Sequence, residues 1–425
     1  MKARLKRFIR WLLPREVSRR IYRRQADRYL NNLRLDYDPS RKTLLLLNHY
    51  WDQDIRALSQ ANRHYNLIVV DAPTLFKGAK LFFSPDVVHI RKAYDSEPSE
   101  NRRRYREECR YIFQQLYERY HIDLIVTAND NYYWVREFIG VAHDNGVVTV
   151  MLDKEGFLTP HTFDHQAERI KELFPCICDR IYVWSERQKC YWQKVGVAAP
   201  NISVIGQPRS DLFHTEKQND VDSYFPTDRP LVTLFSYRDD ICIPVEIARK
   251  ENLTWAVMRD RTHEAFKEFA DKYPDYNFVI KAHPQQQDLA RLQEQYDREN
   301  LRVIGGATVA NELIQRSELI VAFQTTVIIE AMYLNKCVVY TFWDKLIPRF
   351  RDEMYPFHKA GGIVIADSAE KFTDVCTRFL GGDAGDFDFA ESELKARDDF
   401  VSTYLHRPDG HACERFFASV DELLK

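Results

Sequence analysis

The stretch NFVIKAHPQQQ, Asn277 to Gln287, decides how the chain is read. Phe278, Val279 and Ile280 form a short apolar run of the kind that fills a strand buried on both faces. Lys281, His283 and Pro284 follow at once. Pro284 has no N–H to give to a sheet ladder, so the strand ends before it. A buried strand thus opens onto a lysine and a histidine at its carboxyl end, the end where open parallel sheets bind ligands.

Outward from this point the same unit recurs. Apolar runs at 43–47, 67–70, 124–127, 147–152, 181–184 and 202–205 alternate with helical stretches such as 54–62, 102–120 and 133–144. HTEKQNDVDSYFPTDRP, His214 to Pro230, is polar, lacks periodicity and reads as a linker. Strand-like runs resume at 231–235, 278–280, 301–304, 319–322, 338–340 and 363–366, separated by helical segments. Strand–helix alternation implies parallel sheets covered on both faces. The expected fold is α/β: two facing, doubly wound Rossmann-like domains with a C-terminal closing helix, and a ligand cleft between them. The expected divisions are 1–24, a basic surface helix; 25–213, an acceptor domain; 214–230, a linker; 231–395, a nucleotide-donor domain; and 396–425, the closing helix.

Bulk composition agrees. At 425 residues and 45% hydrophobic the chain suits two domains. A formal net charge of -2 gives no global basic field, and no nucleic-acid partner is expected. The eight cysteines include no CxxC pair; Cys176 and Cys178 make only CxC. This fits a reducing cytosol rather than a disulfide framework. No apolar run nears the ~20 residues that cross a bilayer, and no signal peptide is expected.

The first 24 residues hold ten Lys or Arg and one acid, Glu16. Leu5, Phe8, Ile9, Leu12 and Leu13 share one helical face, with Arg4, Lys6, Arg7 and Arg10 on the others. A basic amphipathic helix of this kind is expected at the cytoplasmic surface of the inner membrane.

Other strand ends carry chemistry. Leu319 to Ala331, LIVAFQTTVIIEA, runs from strand to helix through Gln324, Thr325 and Thr326. Hydroxyls at a helix start suit an anion, and Glu330 lies one turn further on, where a carboxylate suits ribose hydroxyls. LFSYRDD offers Ser236 and Arg238 to the same phosphate. Lys281 and His283 supply charge and a donor near neutral pH, with Pro284 stiffening the exit. In the first domain, VTVMLDKEGFLTP ends on Glu155, a candidate base for an acceptor hydroxyl, and on Gly156, which permits a tight turn. VTANDNYYW places Asp130 beside Tyr132, Tyr133 and Trp134, a wall suited to a sugar. His49, Tyr50 and Trp51 are expected to shape an acceptor pocket. Asp52 and Asp54 form a DxD too short to argue for Mg²⁺. No Walker loop, Gly-rich dinucleotide loop, HExxH or GxSxG occurs.

In order, KEG at 154–156, HP at 283–284 and TT at 325–326 resemble the acidic-acidic-glycine, His-Pro and Ser-Ser motifs of bacterial sialyl-, polysialyl- and Kdo-transferases. Val183 to Phe213 looks like the hinge of surface-carbohydrate and teichoic-acid transferases, and Arg407 to Phe417 like their closing helix. Lys154 stands where that pattern has an acid. The resemblance implies a GT-B glycosyltransferase using a CMP-activated sugar, Kdo by preference. The acceptor would be a surface-polysaccharide or lipid-linked glycan, with no metal and no cofactor beyond the donor. It assigns Glu155 as catalytic carboxylate, with Asp130 the other candidate. His283, Thr325 and Thr326 fall on the leaving phosphate. A CDP-alditol phosphotransferase of the teichoic-acid type, and a UDP-sugar 2-epimerase, remain alternatives.

Overall fold

The computed structural model describes residues 15–33, 36–83, 99–154, 156–215, 221–225, 229–284, 286, 288–306, 310–407 and 409–425. They form two compact units. One comprises Met1–Gly156, Ala167–Arg209 and His411–Lys425; the other comprises Phe157–Gln166 and Ser210–Gly410. Each is built on a six-stranded parallel sheet.

In the first unit the strands are β1 (Thr43–Asn48), β2 (Asn66–Asp71), β3 (Ile122–Thr127), β4 (Val148–Leu152), β5 (Arg180–Val183) and β6 (Ile202–Val204), in the order β2-β1-β3-β4-β5-β6. Leu44, Leu45, Leu46 and Leu47 of β1 are all buried. Alternate residues therefore face opposite sides, and both sides are covered. Leu45 and Leu47 join a core with Phe113 and Phe138 from helices Ser99–Tyr120 and Tyr133–Asp144.

The second sheet holds β7 (Leu231–Phe235), β8 (Asn277–Lys281), β9 (Leu301–Ile304), β10 (Ser317–Ala322), β11 (Cys337–Thr341) and β12 (Val364–Ala366), in the order β12-β11-β10-β7-β8-β9. Val232, Leu234, Phe278, Ile280, Leu319 and Val321 line one face against Phe266, Phe269 and Phe372 from covering helices. The chain winds β7, β8, β9 to one side, then returns past β7 to build β10, β11 and β12. The order therefore reverses between β7 and β10, which opens a crevice beyond their carboxyl ends.

All twelve expected strands are present, but the chain is partitioned differently from the expected divisions. Residues 157–166 belong with the second unit, where Phe157 stacks on Tyr404 with ring centroids 4.0 Å apart and on Phe357 at 5.0 Å. The single closing helix is two helices, Glu391–Leu405 in the second unit and Ala412–Leu423 in the first. Between them His406 and Gly410 take positive φ, 65° and 72°, which an α-helix cannot continue through.

The basic N-terminal segment also differs in its described part. Helix Arg15–Asn31 buries Tyr22, Ala26 and Leu30 in the first unit's core. Arg19 and Arg23 pair with the buried carboxylate of Glu108 at 2.7 and 2.8 Å. Its apolar face is therefore spent on its own domain. Residues 1–14, with the stripe from Leu5 to Leu13, lie outside the described residues. Among the described residues no helix is long and apolar enough to cross a membrane.

Candidate active site

Three strand exits at the reversal between β7 and β10 carry the residues expected to hold the donor, and they differ in where their side chains go. Phe235, the last residue of β7, is in register with Lys281 of β8 on one side and Ala322 of β10 on the other. The three exits therefore lie side by side. Ser236, Tyr237 and Arg238 follow the first, Ala282 and His283 the second, and Phe323 to Thr326 the third.

His283 is half-buried and begins a tight turn. Its carbonyl accepts from Gln286 N at 2.9 Å, and its N–H donates to Gln286 Oε1 at 2.5 Å. Pro284 is the second residue of that turn, where its fixed φ is favoured. Burial, then the charges of Arg238 and Lys281, hold the imidazole below its ordinary pKa. The ring is thus neutral near pH 7 and can donate or accept. Arg238 is half-exposed and donates to Asp240 at 2.9 Å.

Lys281 behaves differently from expectation. It is 4% exposed, and its ammonium donates to Ala282 O at 3.0 Å and to Gly306 O. Burial pushes its pKa down to about 8. The strand carries this side chain inward, where it ties down the loop after β9 rather than facing a ligand.

Gln324, expected to touch the nucleotide, is instead a fully buried clamp with φ of 45°. Its Nε2 donates to Tyr340 OH at 2.5 Å and Tyr355 O at 3.2 Å. Its Oε1 accepts from Tyr355 N at 2.7 Å and Cys242 Sγ at 3.4 Å. All its hydrogen bonds are used within the protein, and they fix the turn that delivers the next two residues. Thr325 and Thr326 are half-buried at the start of helix Val327–Tyr333, with Val327 N donating to Thr325 Oγ1 at 3.4 Å. That helix has seven residues, so the hydroxyls and free N–H groups matter here more than a macrodipole. Glu330 is buried within it at 3% exposure and engaged inside the protein, not open to a ribose.

One pair at this crevice was only half visible in the sequence. Ser236 Oγ lies 2.9 Å from Nε2 of His263, a fully buried residue of helix Ala256–Lys272. Burial drives the His263 pKa down to about 3, so the ring is neutral. A lone histidine on the apolar face of a helix gives no sequence signal.

In the first unit two residues at the β4 exit, Asp153 and Lys154, are tied to neighbouring side chains and backbone. Asp153 accepts from Trp192 Nε1 at 2.6 Å, and Lys154 Nζ reaches Tyr50 O at 3.2 Å and lies 5.6 Å from the Tyr50 ring centre. Glu155 lies outside the described residues. Gly156 has a reason other than a turn. A Cβ there would come within 2.1 Å of the Trp184 indole, so the backbone passes where only glycine fits.

Asp130 is corrected as an alternative catalytic carboxylate. It is 0% exposed, accepts from Ile177 N at 2.6 Å, and its pKa is raised by burial. It anchors the chain before β5. Of the proposed sugar wall, Tyr133 packs into the core against Phe83, while Tyr132 and Trp134 stack at 5.1 Å and flank His49. Trp51 is buried, donating to Leu47 O at 3.0 Å, whereas Tyr50 is 77% exposed. Asp54 is buried, accepts from Arg209 N at 3.2 Å and faces the Arg209 guanidinium at 3.6 Å. The DxD is thereby divided, with Asp54 a structural tie.

Two doubly wound units, each on a six-stranded parallel sheet, make a GT-B-like fold. The chain belongs to the CDP-glycerol:poly(glycerophosphate) glycerophosphotransferase family, whose profile matches residues 99–420. It is therefore a transferase. Among solved structures it is similar to the wall teichoic acid polymerase TagF (TM-score 0.55, 11% identity, 100% of this chain and 98% of that one covered). It is likewise similar to a putative UDP-N-acetylglucosamine 2-epimerase from Listeria monocytogenes (0.53, 13%, 90% and 96%) and to the UDP-GlcNAc 2-epimerase from Methanocaldococcus jannaschii (0.53, 16%, 90% and 99%). At these identities the likeness speaks to fold alone. No curated protein matches the chain significantly.

Proposed function

We propose that the protein transfers an alditol phosphate from a CDP-alditol, of the CDP-glycerol type, to a hydroxyl of a surface-polymer or lipid-linked acceptor. The observation that carries this reading is the family match, which spans the crevice residues from Ser236 to Thr326. It favours the CDP-alditol alternative and lends no support to a Kdo donor. In this reaction the acceptor oxygen attacks the phosphorus bearing the alditol. The bond from that phosphorus to the bridging oxygen breaks, CMP leaves, and the acceptor proton passes to a base.

Arg238, Thr325 and Thr326 would hold the phosphates, and neutral His283 would donate to the leaving oxygen or take the acceptor's proton. Glu155 is the carboxylate we retain as the other candidate base. The rest of the expected set act as supports: Lys281 and Gln324 shape the exits, and Pro284 aims His283. Equilibrium binding of CDP, CMP, UDP and GDP tests the donor. The reading expects cytidine nucleotides to bind best, and to weaken in Arg238→Ala. Preference for UDP would reject it.

For membrane contact we read helix Arg15–Asn31 as an electrostatic face. Arg20, Arg24 and Arg28 recur every four residues, are exposed, and form no ion pair among the described residues. With the apolar face packed inward, attraction to acidic lipid would come from charge alone.

A further inference from the structure

The Ser236–His263 contact limits where the serine's proton can go. The bond joins Ser236 Oγ to His263 Nε2 at 2.9 Å, and His263 Nδ1 is buried with no hydrogen-bond partner among the described residues. A neutral imidazole carries one N–H. If that proton sat on Nδ1 it would be an orphaned donor in the core, a rare arrangement; a bare acceptor nitrogen is better tolerated. The favoured tautomer therefore places the proton on Nε2, which donates to Ser236 Oγ.

Ser236 then acts as acceptor in that bond, and its own proton must find another acceptor. The Ser236 side chain makes no other hydrogen bond among the described residues. Its backbone is fixed too, since Ser236 N donates to Lys281 O at 2.9 Å and continues the β7–β8 ladder. The hydroxyl stands at the reversal point of the sheet, two residues before Arg238 and beside the exit that leads to His283.

We propose that His263 is a positioning residue that presets Ser236 as a one-way hydrogen-bond donor to an anionic oxygen of the bound donor's phosphates. This rests on the donor reading above and adds a second layer to it. A serine hydroxyl normally rotates between donor and acceptor roles. One locked as a donor would favour phosphate oxygens over water or a sugar hydroxyl acting as donor.

The test is calorimetric binding of CDP, pyrophosphate and cytidine to wild type and to Ser236→Ala, Ser236→Thr, His263→Gln, His263→Leu and Ser236→Ala/His263→Leu, with thermal melts as folding controls. Ser236→Ala should weaken CDP and pyrophosphate on the order of 10- to 100-fold, as expected for a hydrogen bond to a charged group, and leave cytidine unchanged. His263→Leu should match that loss. His263→Gln, whose amide nitrogen can replace Nε2, and Ser236→Thr should both stay near wild type. The double variant should be no worse than Ser236→Ala. Wild-type CDP binding unaffected by Ser236→Ala would overturn the inference, as would a further loss on adding His263→Leu to Ser236→Ala. If wild type ignores CDP but binds pyrophosphate through Ser236, the donor reading fails and this one stands; if it binds neither, both fail.

Discussion

Phe235 and Ala322 stand opposite each other as the last paired residues of β7 and β10, on the two sides of the point where the second sheet reverses its winding. The chain leaving Phe235 leads to Arg238, and the chain leaving Ala322 leads to Thr325 and Thr326. Parallel register, not sequence proximity, brings together residues more than eighty positions apart.

His283 is held neutral by burial and by Arg238 and Lys281. Its depressed pKa means that protonation, and loss of its function as an acceptor, occurs only as pH falls below its ordinary value of about 6.5. From about pH 6.5 to 8 this group should leave kcat/KM flat. Arg238→Ala removes one of the depressing charges, so the acid limb should move to higher pH while KM rises. His283→Ala should lower kcat by roughly 10²- to 10⁴-fold. A pH–rate profile of the three proteins checks both statements.

Lys281 makes stability depend on pH in a stated direction. Its folded pKa, about 8, lies below the unfolded value of about 10.4. Between these values the unfolded chain binds the proton that the folded chain has lost, so stability rises with pH. Its hydrogen bonds to two carbonyls favour the charged form and temper the effect. Urea unfolding of wild type should gain up to about 2 kcal/mol relative to Lys281→Met between pH 8 and 10. A difference that stays constant or shrinks across that window contradicts the assignment.

Gln324 holds four partners in a buried, left-handed turn. Gln324→Ala leaves Tyr340 OH and the Tyr355 backbone without it, at a cost of about 1–3 kcal/mol per buried group left unpaired. A melting temperature several degrees lower is expected, together with weaker CDP binding as Thr325 and Thr326 lose their support. Weaker binding at an unchanged melting temperature would instead point to direct contact.

Gly156 sits against Trp184, where a methyl has no room. Gly156→Ala should destabilise by about 1–3 kcal/mol through overpacking. Trp184→Leu in the same chain should recover part of that loss. Denaturant midpoints of the two single variants and the double variant measure the coupling.

Much of the fold was legible because strands buried on both faces leave unbroken apolar runs, as Leu44–Leu47 and Leu319–Ala322 do. The exchange of Phe157–Gln166 and His411–Lys425 between units was not legible, since nothing in their composition says which core they join. At the site, Arg238, His283, Thr325 and Thr326 stand out in the sequence as candidates because each follows a strand end. Lys281 and Gln324 misled for the same reason: a polar residue at a strand end is read as facing a ligand, and these two turn inward to satisfy carbonyls and backbone N–H groups. His263 was hidden because burial alone distinguishes it, and burial is not written in one residue.

Co-sedimentation with vesicles containing phosphatidylglycerol should fall as salt rises. It should also fall on the order of 100-fold in Arg20→Gln/Arg24→Gln/Arg28→Gln, with about 1 kcal/mol attached to each charge removed. Turnover of a water-soluble acceptor should not change. Equal sedimentation of both proteins removes this face from the account.

Turnover itself decides between the donors. Wild type and His283→Ala are incubated with CDP-glycerol, CMP-Kdo and UDP-GlcNAc in parallel, and released nucleotide and altered sugar are followed by chromatography. A CDP-alditol transferase releases CMP from CDP-glycerol alone, stimulated by a hydroxyl-bearing acceptor, and His283→Ala abolishes that release. Conversion of UDP-GlcNAc without acceptor, or release from CMP-Kdo with CDP-glycerol untouched, would contradict the CDP-alditol reading.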